Sequence, residues 1–193
     1  MPNDKIAISA HLKPNANRVT VGEVKIFNLT NFELLQTIEN PHYESDQFGY
    51  AMILSELTIN NELKNCLVIG APTTTYGVHT NAGAIFIYDA DSFEFLAKIH
   101  SDRSLGIYSL QLLYTIDISF KFLGRFGRAL AQTEDYLLVG APRYHLESNE
   151  LVEQGAVFGF SKHKNLPLGD ITENCKYGDF VPCLDEWTDI GRP

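Results

Sequence analysis

One series of landmarks occurs twice along this chain in the same order, and it limits the possible folds more than any other feature. Phe48-Gly49-Tyr50-Ala51 is followed by Cys66-Leu-Val-Ile-Gly70-Ala71-Pro72 and then by Gly83-Ala-Ile-Phe-Ile-Tyr88. The second series is Phe126-Gly127-Arg128-Ala129, Tyr136-Leu-Leu-Val-Gly140-Ala141-Pro142 and Gly155-Ala-Val-Phe-Gly-Phe160. A more degenerate copy opens the chain: Gly22-Glu-Val-Lys-Ile-Phe27 matches the Gly83 stretch at an offset of 83 minus 22, or 61. The same offset pairs Asn31–Ile38 with Ser92–Ile99, and Ile6–His11 with Leu67–Pro72, without a gap. Short apolar runs resemble one another easily; three stretches sharing a single offset do not.

Repeats of this length signal stacked or radial architectures, so they come before any residue-level reading. Each aliphatic run ending in Gly-Ala-Pro reads as a buried strand followed by a turn, because proline cannot donate to a sheet ladder. A glycine before a strand admits positive φ or the close approach of another backbone. The most complete copy therefore predicts four strands, near residues 49–54, 66–70, 83–89 and 93–99. Four short antiparallel strands per repeat make the blade of a β-propeller. The expected fold class is all-β: a partial propeller of about three consecutive four-stranded antiparallel blades with the ring not closed. Blades are expected at 5–40 (partial), 48–100 (complete) and 126–160 (partial).

Phe-Gly, an aliphatic strand ending Gly-Ala-Pro, and then Gly-x-Val/Ile-x-x-Phe/Tyr together resemble the FG-GAP repeat. That family includes the seven-bladed heads of integrin α subunits and the C-terminal propeller of glycosylphosphatidylinositol-specific phospholipase D. The resemblance spans residues 5–160 and rests on Phe48, Gly49, Gly70, Ala71, Pro72, Gly83, Phe126, Gly127, Gly140, Ala141, Pro142 and Gly155. It implies a secreted or secretory-pathway protein and a contact surface for a protein or glycan partner, or for the remaining blades of a larger propeller. Three incomplete blades cannot remove their open sheet edges by closure. The expectation is a remnant of a longer protein, or a chain that closes through other copies or partners.

From Ile38 to Phe48 is ten residues, but from Ile99 to Phe126 is twenty-seven. The excess falls in 101–122, where Tyr108, Leu110, Leu112, Tyr114, Ile116, Ile118, Phe120 and Phe122 alternate with mostly polar residues. Period two means strand. An extra edge strand or hairpin, a partner-docking strand, and sequence foreign to the fold such as translated intron all fit it. Residues 161–193 break the repeat and read as a loop-rich tail or a degenerate strand.

Chemistry is sparse. Calcium loops of the D-x-D/N-x-D/N-G kind are implied by the family between the first two strands. Ser55–Asn65 has Glu56, Asn60, Asn61 and Glu62 but neither Asp nor Gly, and 131–135 is too short. The six histidines (11, 42, 79, 100, 145 and 163) form no His-x-x-x-His or Glu-x-x-His pair, so no zinc site follows. His79 and His145 each follow a Gly-Ala-Pro and would share one end of the fold. No Gly-x-Ser-x-Gly elbow, activated cysteine or phosphate loop occurs. Neither a cofactor nor a catalytic residue is expected. With a net charge of -9 and scattered Lys and Arg, nucleic acid is not an expected partner. The apolar stretch 104–122 is interrupted by Gln111, Asp117 and Lys121 and fails as a membrane span. No signal peptide is evident at the N-terminus.

Asn28-Leu-Thr30 is a glycosylation sequon that follows the Gly22 strand and reads as a surface loop. Cys175 and Cys183 are close enough in sequence to bridge in an oxidising compartment, whereas Cys66 reads as a buried thiol. Together these predict a non-catalytic propeller module for protein or glycan contact. The alternative is the non-catalytic part of a phospholipase D-like enzyme whose zinc domain lies elsewhere. A zinc-ligand-rich segment would mark that alternative.

Overall fold

The computed structural model describes residues 4–17, 19–41, 46–75, 80–100, 124–143, 155–166 and 168–170. The insertion 101–122, the tail 171–193 with Cys175 and Cys183, and His42, His79 and His145 lie outside the described residues. Among the described residues there is no helix, and eleven strands form three separate sheets.

The first sheet is a meander of β1 (Lys5–Ser9), β2 (Glu23–Asn28) and β3 (Leu34–Glu39), antiparallel throughout. The second sheet runs β4 (Ala51–Ile59), β5 (Glu62–Ala71), β6 (Ala84–Asp89) and β7 (Phe95–His100), again antiparallel. In the third sheet, β8 (Ala129–Gln132), β9 (Tyr136–Ala141) and β10 (Ala156–Ser161) pair in the same manner. A two-residue strand, β11 (Gly169–Asp170), joins the second sheet in parallel beside β7. None of the three sheets closes on itself.

The sequence offset of 61 reappears in the pairing of the strands. Lys5 pairs with Asn28 and Cys66 with Asp89; Val24 pairs with Ile38 and Ile85 with Ile99. Both meanders carry a bulge at the same place, between Ile26 and Phe27 and between Ile87 and Tyr88. The turns after these strands also agree. The Phe32 N–H donates to the Asn28 carbonyl and the Phe93 N–H to the Asp89 carbonyl, both at 2.9 Å. Phe32 and Phe93 take left-handed φ of 57° and 61°.

One boundary differs from expectation. The segment Ser55–Asn65, read above as a loop, is strand on both sides of a two-residue turn. Asn60 and Asn61 have φ of 52° and 64°, the positive values that a tight hairpin matching strand twist requires and that asparagine tolerates. β4 and β5 therefore run to the turn itself, with Ile59 opposite Glu62.

The second sheet lies between the other two. Leu67, Ile69, Ala71, Ala84, Phe86 and Tyr88 face the first sheet and pack with Val24, Ile26 and Ile38. Alternate residues of the same strands, among them Cys66, Val68, Ile85 and Ile87, face the third sheet and pack with Leu137, Val139 and Phe160. Burial on both sides explains why β5 from Cys66 onward and β6 are almost continuously apolar, since neither face meets water there.

After β10 the chain turns back toward the second sheet. The Thr58 N–H donates to the Lys162 carbonyl at 3.0 Å, and the Leu166 N–H to the Thr58 carbonyl at 2.9 Å. Leu166 is buried in the core beside Leu57 and Ile59. The first part of the segment read as a tail thus straps the third sheet to the β4–β5 hairpin.

Candidate functional site at the sheet junctions

The repeat landmarks meet where one sheet joins the next. At the first junction the Phe48 N–H donates to the Val21 carbonyl at 3.1 Å; at the second, the Phe126 N–H donates to the Ala82 carbonyl, also at 3.1 Å. Gly22 has φ of 82° and Gly83 has φ of 89°, and neither has room for a side chain. A Cβ on Gly22 would lie 2.2 Å from the Phe48 carbonyl oxygen, and one on Gly83 would lie 2.1 Å from that of Phe126.

The Phe-Gly turn that enters each junction is built identically. Gln47 and Arg125 take φ of 53° and 55°, and Gly49 and Gly127 take 90° and 86°. The second glycine contact differs between the two. A Cβ on Gly70 would lie 2.0 Å from the Gly127 carbonyl oxygen, so here two backbones touch directly. At the equivalent place in the first junction (70 minus 61 is 9) stands Ser9, whose hydroxyl donates to the Gly49 carbonyl.

Each phenylalanine of the turn then points into its own sheet. The Phe48 ring stands edge-on to Phe86 and Tyr88, with centroids 5.3 and 6.2 Å away. Phe126 stands edge-on to Phe158 and Phe160 at 5.4 and 6.1 Å. Both rings are fully buried. Edge-to-face pairs add about 0.5–1.5 kcal/mol beyond the area they bury. The residue after Phe-Gly links neighbours at the surface: Tyr50 has the His11 ring 5.2 Å to one side and the Arg128 guanidinium 4.8 Å from its centroid.

Ala71 and Ala141 end β5 and β9, and Pro72 and Pro142 follow in turns, where the missing N–H costs no ladder bond. Gly140 lies in β9 against Ala129, and Gly155, with φ of 73°, precedes β10. Asn28 closes the β2 turn. Its Oδ1 accepts the N–H groups of Thr30 and Asn31, as the Asp89 Oδ1 accepts those of Asp91 and Ser92. Those two backbone donors are the main reason the Asp89 carboxyl sits below its ordinary pKa. The matching roles of Asn28 and Asp89 were in reach of the sequence, since the offset of 61 already linked the two positions.

Titratable groups elsewhere do structural work. Burial tends to raise Glu23, but ion pairs with Lys13 and with Lys25 (3.4 Å) prevail and hold it low. Cys66 is fully buried and its thiol is pushed up to about 12, chiefly by desolvation. His100 is buried with Nδ1 3.3 Å from the Gly83 carbonyl, and the exposed His163 lies 3.3 Å from Asp135. Among the described residues no group of three or more His, Cys, Asp or Glu could hold a metal ion, and no helix is long and apolar enough to cross a membrane.

Compared with protein-family models and with curated proteins, the chain matches neither a family nor a relative.

Proposed function

We propose that this chain is an arc of an FG-GAP-type β-propeller, serving as a non-catalytic contact module for a protein or glycan partner or for further blades. The observation that carries this reading is the junction: Gly22 with Phe48, and Gly83 with Phe126, join consecutive sheets by the same backbone geometry. A stacking step built twice from the same landmarks is the behaviour of a repeat protein, where each unit buries its face on its neighbour. The first strands of the second and third sheets also approach each other, with Gln132 Nε2 donating to the Leu54 carbonyl at 3.1 Å. That approach suits strands lining the inside of an arc.

Two experiments test the two halves of the proposal. A crystal structure should show the three sheets fanned about one axis, with β4 and β8 innermost; sheets packed without a common axis would remove the propeller. A glycan array and a screen of extracellular proteins, both probed with purified chain, should yield dose-dependent binding that free ligand competes away. Failure to bind in either screen, together with turnover of a hydrolysable substrate, would replace the contact reading with a catalytic one. For the secretory assignment, expression through a secretory pathway should add a glycosidase-sensitive mass at Asn28.

A further inference from the structure

The third sheet carries a second copy of the surface that holds it in place. On the second sheet, Val68, Gly70 and Ile85 face the third. The register of β8, β9 and β10 puts Leu138, Gly140 and Val157 in the same places on the opposite, outward face of the third sheet, with Tyr136 beside them. Val157 is 61% exposed and Tyr136 41%. Gly155 keeps the positive φ of Gly22 and Gly83. Among the described residues, the nearest atom to a Cβ built on it is its own loop's Pro142 carbonyl oxygen, at 3.2 Å. The acceptor geometry is formed there, and among the described residues no neighbouring sheet fills it as one does at Gly22 and Gly83.

The first sheet presents the opposite half of the same contact. Ile6 and Ile8 pair with Phe27 and Lys25, on the side of the sheet away from Val24 and Ile26. At the offset of 61 they correspond to Leu67 and Ile69, the residues by which the second sheet buries itself on the first. Here they stand 38% and 51% exposed.

We propose that the outward face of β8–β10 is a docking surface for the outward face of β1–β3 of a second copy of this chain, joined head to tail. The inference rests on the stacked-sheet reading above and goes further by naming the partner. Such a contact is heterologous, so it either closes into a ring or continues. Two copies would bring twice the three sheets of the described residues, six, which falls within the ~4–8 blades that propellers close. Lys25, paired with Glu23, occupies the place that Phe86 holds in the second sheet, so the new contact is more polar than the internal ones and is reversible.

Sedimentation equilibrium of the full chain over a wide concentration range tests it. The wild type should associate with rising concentration. Val157→Lys and Ile8→Glu, both at exposed positions and both checked for folding by circular dichroism, should each self-associate at least about tenfold more weakly. Mixing the two variants one to one should restore association, because one unaltered pair of faces remains. A wild type that stays monomeric overturns the proposal, and so does an Ile8→Glu variant that associates like the wild type. Urea unfolding of Gly83→Ala separates the two levels. If that variant is strongly destabilised while the wild type is monomeric, stacking stands and docking fails; if it is harmless, the stacking reading itself fails.

Discussion

The Gly83 backbone and the Phe126 backbone touch across the second junction so closely that only glycine fits, while the Phe126 ring points away into its own sheet. At this landmark pair, main chain meets main chain across the junction, and the aromatic ring adds to the side-chain core that the two sheets share. The arrangement is the same at Gly22 and Phe48. It explains why the motif consists of a glycine and an aromatic rather than of two complementary side chains.

Gly83→Ala combines a left-handed φ with a collision against peptide backbone, and should cost about 2–4 kcal/mol. Gly155→Ala keeps the unfavourable φ but meets its nearest atom only at 3.2 Å, so about 1–2 kcal/mol is expected. Urea midpoints at equal slope give the comparison; equal losses would mean that conformation, not contact, selects glycine at both sites.

Phe126→Ala removes a fully buried ring and its edge-on partners, and should cost about 3–5 kcal/mol. Phe126→Leu keeps most of the apolar volume and should lose less than half of that. Thermal unfolding of both variants measures the difference; a Phe126→Leu variant as unstable as Phe126→Ala would mean that ring shape matters more than volume.

Asn28 and Asp89 do one job with two side chains, so Asn28→Asp and Asp89→Asn should be nearly neutral at pH 7, whereas alanine at either place should cost about 1 kcal/mol. The acid behaviour then separates them. The Asp89 carboxyl is held below its ordinary pKa in the folded state, so its contribution is fully present above the unfolded pKa of about 3.9. That contribution is lost as pH falls through the lower folded value. Denaturant titrations from pH 6 to pH 2 should show a shallower acid limb for Asp89→Asn than for the wild type.

The Cys66 thiol, at about 12, is a thiol and not a thiolate at any ordinary pH, and it has no path to solvent. In a Cys175→Ser, Cys183→Ser background, a chromogenic disulfide reagent at pH 8 should fail to react until denaturant is added. Rapid reaction in native buffer would mean that the second and third sheets separate readily.

Much of this arrangement was legible in the chain, because the junction is made of residues whose identity geometry dictates: glycines where φ is positive or backbones touch, aromatics where a pocket needs filling. The 61-residue offset carried through strand register, bulges and turns without correction. The β4–β5 hairpin was harder to see, since Glu56, Thr58, Asn60 and Glu62 give the segment a polar look. Its period-two signal lay in Ser55, Leu57 and Ile59, whose side chains are all buried. The strap from Lys162 to Leu166 had no local signal at all: it is held by backbone bonds to Thr58 and Asn60, about a hundred residues away. No pattern in the segment itself encodes such a partner.

The strap also bears on how this molecule comes apart. By fastening the third sheet to the far end of the β4–β5 hairpin, it makes a later-synthesised part of the described chain wait for a finished platform made earlier. Amide protons of Lys162–Leu166, held by a few bonds to one hairpin, should exchange before those of Val68 and Ile87, which are shielded from both sides.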